Sequence, residues 1–417
     1  MHKLVFTLKQ HTPIIHFQYN NYGATLRASE VKPMLDRFII SKEGGFKQTF
    51  LKHSDWFIGQ GKFQSLNYKL KIAQTSEPGD VKTNPNYFGN QGKENLSKNN
   101  IFGVEDLKCT IVFFAKELNN ALSKDYLMEF FLMNNFGCRK SKGSGSYTLS
   151  SIQLDDEEPI CVREEENITF FKETLFNRNN TRIHSNYLSF TPDKVDKDKA
   201  EIFGVINYYW KRLRSGINYT YDGSNNNIEG EYEKAFLLNY LKGYTWEKRW
   251  LKEKFMNLKP EIAVPEPKFA RALLGLSDKY TFLDKTRLKK AILNNKTKIA
   301  LDFKFDVQVS SKEIQRIPSP IIFKPISSGN QVYIFILFDE SYANWDIISK
   351  KFNFKMKIPN NIRYLNPDTQ YLFTPTVRIN LSDLLSKYNE SLGNWFVALA
   401  LKRNSNLQIA TVNIQSI

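Results

Sequence analysis

The chain has 417 residues, too many for one ordinary hydrophobic core, so two or three domains are expected. Apolar residues make up 41% of it and aromatic ones 14%, which excludes an intrinsically disordered chain. Lys and Arg number 59 against 43 Asp and Glu, a net charge of +16. Residues 1–150 hold 20 basic and 12 acidic residues, so +8 of that excess lies there and +8 in the remainder. A basicity spread this evenly points to a polyanion such as RNA or DNA, with general solubility as the alternative.

In chain order, residues 3–9 read as a strand, with Leu4, Phe6 and Leu8 on one face against Val5, Thr7 and Lys9. A loop over residues 11–26 carries Thr12-Pro13, His16 and Gly23. From Leu26 onward, Val31, Met34, Leu35, Phe38 and Ile39 repeat at helical spacing. Ser29 would cap that helix, and Pro33 falls in its first turn, where proline is tolerated. Residues 66–73 form a second strand, and 74–106, rich in Gly, Pro, Asn and Lys, a long polar excursion. Residues 107–115 form an apolar third strand suited to a central place. Residues 118–136 form a helix and 147–154 a fourth strand, closed by Asp155-Asp156-Glu157-Glu158. The order β-α-β-β-α-β predicts a ferredoxin-like, RRM-type unit, an antiparallel sheet with both helices on one face.

Between that second helix and the fourth strand lies Asn134-Asn135-Phe136-Gly137-Cys138-Arg139-Lys140-Ser141-Lys142-Gly143-Ser144-Gly145-Ser146-Tyr147. Glycine tolerates positive φ and lets backbone N–H groups approach an anion, so such a loop can cradle phosphate. Arg139, Lys140 and Lys142 add the charge that makes phosphate binding salt-dependent. The alternative is a mobile surface connection.

Two features coincide at this point. Thr12-Pro13-Ile14 precedes Leu26-Arg27-Ala28-Ser29-Glu30-Val31-Lys32-Pro33-Met34-Leu35-Asp36-Arg37, and the basic glycine loop falls between the second helix and the fourth strand. Together they resemble the RAMP superfamily of CRISPR RNA-binding proteins, and within it the large two-domain RAMP subunit of type III-B (Cmr) effector complexes. Ala272-Leu273-Leu274-Gly275-Leu276 and Ile317-Pro318-Ser319-Pro320-Ile321-Ile322-Phe323 resemble that subunit's second-domain strand motif. Pro33 stands where the family has a small glycine, and Ser144 where an aromatic often precedes the last glycine. The resemblance implies a structural subunit that binds guide RNA through its phosphate backbone, beside other RAMP subunits, in antiviral defence. Arg27, Lys32 and Arg37 would meet phosphate from the first helix, and Arg139, Lys140 and Lys142 from the loop. Gly137, Gly143 and Gly145 would allow the close approach, and Tyr147 at the loop's exit completes the RNA-binding set.

Beyond residue 156 the signals thin, and residues 160–200 mix short β-like pieces with polar turns. Residues 202–213 read as a helix ending in Tyr208-Tyr209-Trp210-Lys211-Arg212-Leu213-Arg214. A longer helical pattern over 231–256 contains Tyr244-Thr245-Trp246-Glu247-Lys248-Arg249-Trp250-Leu251-Lys252. Such runs either stack and clamp RNA or belong to amphipathic helices with a solvated basic end. Residues 300–309 read as a strand, and 320–326 with 332–338 as an apolar hairpin around Ser328-Gly329-Asn330. Residues 381–401 read as a helix and 407–414 as a last strand. Strand, strand, helix, strand is the back half of a second ferredoxin-like unit, degenerate because its helix-to-strand turn over 402–406 has no glycine. The fold class expected is therefore α+β: ferredoxin-like domains at 1–155 and 266–417, joined by a mainly helical linking region at 156–265.

The enzymatic alternative is a metal-independent endoribonuclease that processes CRISPR transcripts. It needs a base near a 2′-OH and cationic stabilisation of the phosphorane. His16, with Arg27 and Lys32 near it in sequence, is the candidate catalytic residue. No second base is visible, and residues 11–25 hold no Asp or Glu, so the binding role is the reading adopted. A stand-alone RNA-binding protein is the third reading. Cys109, Cys138 and Cys161 form no CxxC pair and the five histidines no HExxH, so neither metal nor cofactor is expected. Reduced cysteines and the lack of a long apolar run fit a soluble, cytoplasmic protein with no membrane partner.

Overall fold

The computed structural model describes residues 1–15, 25–61, 63–74, 79–80, 102–103, 106–175, 183–193, 198–220, 230–241, 270–275, 279–283, 304–310, 319–338, 352–357, 371–373, 379–402 and 405–417. They fall into two units, one of Met1–Ile206, Ile322–Leu337 and Val412–Ile417, the other of Asn207–Ile321 and Phe338–Thr411. The class is mixed α+β, with two five-stranded sheets among the described residues.

Strand β1 (His2–Gln10) buries Leu4, Phe6 and Leu8, the positions that alternation assigns to the core. Helix α1 (Ala28–Lys42) buries Val31, Leu35, Ile39 and Ile40. It starts before Ser29, with Arg27 as N-cap, so Pro33 falls in the second turn and not the first. The missing N–H there forfeits one intrahelical bond on the exposed side. Helix α2 (Phe46–Lys52) packs Phe46 and Phe50 around Phe57, at centroid distances of 5.3 and 5.7 Å. Strands β2 (Tyr68–Gln74) and β3 (Asp106–Phe113) follow. The expected helix over 118–136 is shorter: a turn at Leu118–Ala121 breaks at Ser123, the N-cap of α3 (Lys124–Met133). Strands β4 (Tyr147–Leu154) and β5 (Ile160–Cys161) complete the run.

These strands form an antiparallel sheet in the order β2-β3-β1-β4-β5. Strand β1 is bonded on both sides and is the sheet's middle. Its Phe6 ring lies 5.9 Å from Phe131 of α3, Phe131 lies 5.8 Å from Phe136, and Phe136 lies 6.1 Å from Tyr147. Phe38 of α1 meets Phe130 of α3 at 5.5 Å, so both helices share this core.

The rest of the chain supplies α4 (Glu164–Thr169), β6 (Ile183–Phe190), α5 (Asp198–Arg214), β7 (Ile217–Thr220) and β8 (Gly230–Glu233). Strands β9 (Lys279–Leu283), β10 (Lys304–Ser310), β11 (Ile321–Ser328), β12 (Gln331–Phe338), β13 (Phe352–Lys357) and β14 (Tyr371–Phe373) come next. Helix α6 (Leu381–Leu392), β15 (Trp395–Lys402) and β16 (Ser405–Ser416) end it. The second five-stranded sheet has the order β11-β12-β6-β16-β15, and β9-β10-β13-β14 form a four-stranded sheet.

Two expectations change, and one open choice closes. Strand β6 lies in the stretch read as a helical link, yet it pairs with both β12 and β16 and is the middle of the second sheet. The helix expected over 381–401 stops at Gly393, φ +75°, and the aromatic and β-branched run beyond it becomes β15. The turn near residue 404 therefore joins two strands. The aromatic run at the end of α5 is core and not a clamp: Tyr208 and Tyr209 are buried, and Tyr209 Oη donates to Asn389 Oδ1 at 2.8 Å. Tyr388 Oη in turn donates to the Tyr209 carbonyl at 2.9 Å. Arg212 pairs with Glu233, and Arg214 donates to the Gly275 carbonyl. The amphipathic-helix reading of that run thus applies, while residues 244–252 lie outside the described residues.

Candidate nucleic-acid interface

The glycine loop begins where α3 runs out of helical partners. Asn134 Nδ2 donates to the Phe130 carbonyl at 2.8 Å, and from there the two ends of the loop pair with each other. Asn135 and Ser146 form an antiparallel bridge, and Phe136 N–H donates to the Gly145 carbonyl at 2.9 Å. The closed base is then sewn onto the segment after β1. Gly145 N–H donates to the Pro13 carbonyl and Cys138 N–H to the Ile15 carbonyl, both at 2.9 Å. Ser144 Oγ donates to the Pro13 carbonyl at 2.8 Å, and Ser146 N–H to Thr12 Oγ1 at 3.0 Å. Gly137 N–H donates to Glu30 Oε1 at 2.8 Å, which ties the loop to the first turn of α1.

The glycines serve this stitching. Gly137, Gly143 and Gly145 have φ of +75°, +85° and +65°, values that side chains disfavour. A Cβ at Gly145 would come within 2.1 Å of the Phe136 carbonyl oxygen, and one at Gly137 within 2.7 Å of the Ile15 carbonyl oxygen. The close approach expected toward phosphate is made instead to the protein's own backbone, since the amides of Gly137, Cys138 and Gly145 are spent inside. Among the loop's other residues, Arg139 itself is left-handed (φ +54°) and opens a short 3₁₀ turn over Lys140–Lys142.

Beneath the loop lies Lys324 of β11, fully buried. Its Nζ donates to the carbonyls of Phe131 at 2.7 Å, Asn134 at 3.0 Å and Tyr147 at 2.9 Å. One ammonium thus holds the end of α3 and the start of β4 together. Neighbouring positions of β11 reinforce it: Asn135 Nδ2 donates to the Phe323 carbonyl at 2.8 Å and Ser146 Oγ to the Pro325 carbonyl at 2.6 Å. Burial pulls the Lys324 pKa well below the ordinary lysine value.

His11 is buried beside it. The Ser327 N–H donates to Nδ1 at 3.1 Å, so the neutral ring carries its proton on Nε2, which donates to Thr148 Oγ1 at 2.8 Å. Burial first, then the charges of Lys324 and Lys9, hold the His11 pKa well below 6.5.

The basic residues separate by role. Arg139 and Lys140 are exposed at the loop tip, and Arg37 is exposed on α1. Arg27, half-buried, stands at the N-cap position of α1, whose first turn carries the Glu30 that accepts from Gly137. Arg37 stands ten residues further, about 15 Å along the helix. Lys142 is half-buried, its Nζ 5.5 Å from the centre of the Phe323 ring. Lys32 does not face outward: its Nζ donates to Asp36 Oδ2 at 2.8 Å, to the Leu66 carbonyl at 2.9 Å and to Ser65 Oγ at 3.2 Å. With its hydrogens used there, it fastens α1 to the segment before β2. Tyr147 is fully buried in the aromatic core, so its ring is not presented to a base. His16 lies outside the described residues. Sequence reasoning missed Lys324 and His11, and it marked Thr12 only as part of the Thr12-Pro13-Ile14 motif, without its bonds to the loop. The one signal was a lysine and a proline inside the otherwise apolar run Ile321-Ile322-Phe323-Lys324-Pro325-Ile326.

Cys109, Cys138 and Cys161 are not joined in disulfides. Among the described residues no group of three or more His, Cys, Asp or Glu is placed to hold a metal ion, and no helix is long and apolar enough to cross a membrane.

Comparison with known proteins assigns the chain to a family. Residues 1–217 match the family model of the Cmr1 N-terminal domain, and residues 232–403 that of the Cmr1 C-terminal domain. The class so defined is a RAMP subunit of a type III-B CRISPR effector complex. The chain belongs to the Cmr1 family. Among solved structures it is similar to the apo crystal structure of Cmr1 from Pyrococcus furiosus, at 11% identity and a TM-score of 0.36, over 89% of this chain and 94% of that one. It is also similar to a chain in a cryo-EM structure of the type III-B Cmr-β complex bound to cognate target RNA and AMPPnP in the presence of ssDNA, at 11% identity and a TM-score of 0.34, over 80% of this chain and 94% of that one. No curated protein sequence matched it.

Two outcomes are expected from the geometry. Gly145→Ala should lower the stability of unit 1 by at least about 2 kcal/mol in urea unfolding, because the new Cβ collides with backbone. Gly329→Ala, where φ is +55° but nothing lies within 4 Å, should cost only about 1 kcal/mol. The His11 pKa is lower folded than unfolded, so its contribution is whole above pH 6.5 and is lost as pH falls below that value. Thermal stability should fall from pH 6.5 to pH 5, with a slope of up to about 1.4 kcal/mol per pH unit from this group, and His11→Gln should flatten that limb.

Proposed function

We propose that this chain binds guide RNA through its sugar–phosphate backbone, as a non-catalytic structural subunit beside other RAMP subunits in the cytoplasm. The observation that supports it is the contrast within the loop. The amides of Gly137, Cys138 and Gly145 are committed to the protein, while Arg139 and Lys140 stand exposed at the tip. Phosphate contact would come through side-chain charge and not through an amide cradle. Arg27 and Arg37 extend the positive track along α1, and Lys142 adds charge behind the tip. Gly137, Gly143 and Gly145, with Tyr147 in the core at the loop's exit, act from inside by fixing that tip, while Lys32 only fastens α1 to the segment before β2. Base identity matters little in such a site, because phosphates carry no sequence.

We read both five-stranded sheets as ferredoxin-like. The first orders its strands by chain position as 2-3-1-4, and the second repeats that order with β11, β12, β6 and β16. In that reading the β11–β12 hairpin takes the second and third places in sequence of the second sheet's repeat, whose first strand is β6, not a strand after residue 266.

Fluorescence anisotropy of guide RNA against salt tests the proposal. Arg139→Ala/Lys140→Ala should reduce the slope of log K on log salt by about 1.4, two single-strand phosphates, equally for guide and scrambled RNA. An unchanged slope and affinity would remove the loop from the RNA site.

A further inference from the structure

The outward face of the first sheet carries a second basic surface that the loop does not use. Inward positions of β1 and β3 (Leu4, Phe6, Leu8, Leu107, Cys109, Ile111, Phe113) are buried, so the alternate positions face away from the core. There Lys3, Lys69, Lys71 and Lys108 are exposed, and Val5, Thr7, Thr110 and Val112 are half-buried between them. The registers place these side chains in rows. Lys69 is opposite Val112, which is opposite Lys3; Lys71 is opposite Thr110, which is opposite Val5; Lys108 lies between Ala73 and Thr7. Lys69 and Lys71 are two residues apart on one strand, about 7 Å, and Lys108 is one strand over, about 5 Å sideways. None of these four ammonium groups is in an ion pair among the described residues, whereas Lys9 at the far end pairs with Glu164. The nearby carboxylate of Asp155 is taken by the Lys3 backbone N–H and His2 Nδ1.

The chemistry selects the occupant. The outward positions of the two central strands hold no aromatic ring, so bases are not stacked at the centre of the sheet as RRM-type recognition requires. At the rim the situation differs: Phe114, one residue past the end of β3, is 68% exposed, next to the Lys69–Val112–Lys3 row. Lysines along a flat surface with an aromatic at one end fit a single strand held by its phosphates, with a base resting on the ring. An acidic protein surface would use the lysines and leave Phe114 unexplained.

We infer that the outward face of the first sheet, through Lys3, Lys69, Lys71 and Lys108 with Phe114 at its rim, is a second RNA surface that takes a single strand without reading its sequence. The inference rests on RNA being the ligand of this chain but not on the glycine loop.

The test is fluorescence anisotropy of the full chain with an unstructured labelled RNA of about 30 nucleotides, and with labelled heparin as a polyanion that has no bases. Lys69→Ala/Lys71→Ala/Lys108→Ala should leave the melting temperature unchanged and reduce the salt slope for RNA by about 2, three single-strand phosphates. Phe114→Ala should weaken RNA about tenfold and leave heparin binding and the salt slope unchanged. RNA binding that survives the triple substitution with slope and affinity intact overturns the inference, as does Phe114→Ala weakening heparin and RNA alike. A wild-type chain that binds no RNA overturns this reading and the loop proposal together. If Arg139→Ala/Lys140→Ala leaves binding intact while the triple substitution reduces it, the loop proposal fails and this surface stands.

Discussion

One buried lysine holds the site in shape. Lys324 brings a charge-bearing group into the core of unit 1, and the desolvation of an unpaired ammonium costs several kcal/mol. Its three hydrogens meet three carbonyls, those of Phe131, Asn134 and Tyr147, all within 3.0 Å. Three such bonds contribute about 5–9 kcal/mol against that cost and offset it only in part, since burial still pulls the Lys324 pKa well below the ordinary value. The carbonyls were in any case in need of a donor: one belongs to the last turn of α3, one to its C-cap residue Asn134, and one to the first residue of β4. The lysine therefore caps a helix, starts a strand and fixes the distance across which the glycine loop must close.

Held at that distance, the loop has little freedom. Its ends pair through Asn135 and Ser146, its interior is bonded to residues 12–15, and a Cβ would strike backbone at Gly137 and Gly145 and the side chains of Ile206 and Pro325 at Gly143. In the proposed role, a phosphate would meet cations carried on a rigid backbone support, so that the backbone's ordering cost would already be met by folding. The same stitching uses the amides of Gly137, Cys138 and Gly145 inside the protein and leaves only side chains at the tip exposed. Membership of the Cmr1 family gives this arrangement its context, a subunit of a type III-B effector complex.

The sequence disclosed the parts with strong local signals. Alternation at Leu4, Phe6 and Leu8 and helical spacing from Val31 to Ile39 placed β1 and α1, and the run of glycines among Arg139, Lys140 and Lys142 marked the loop. It did not disclose what depends on distant partners. Strand β6 carries polar residues at His184, Ser185 and Asn186, and only its pairing with β12 and β16 makes it a central strand. Lys32 looked like a phosphate ligand because its acceptors, Asp36 apart, come from residues 65 and 66, some 30 positions away. The glycines looked like a phosphate cradle for a similar reason: nothing local reveals that Ile15 and Phe136 lie against them. Lys324 was the hardest to see, a single lysine whose three acceptors lie some 180 to 190 residues earlier in the chain.

Amide hydrogen exchange on Lys324→Met measures that dependence directly, since methionine keeps most of the stem's volume and removes the donor. The amides of Cys138, Gly145 and Ser146 should exchange at least about 100-fold faster than in the wild type, corresponding to roughly 3 kcal/mol of lost local stability. Those of β1 and β3, held by their own ladder, should change far less. Loop amides that keep their wild-type protection in Lys324→Met would contradict the account, because the loop would then hold its shape without the lysine.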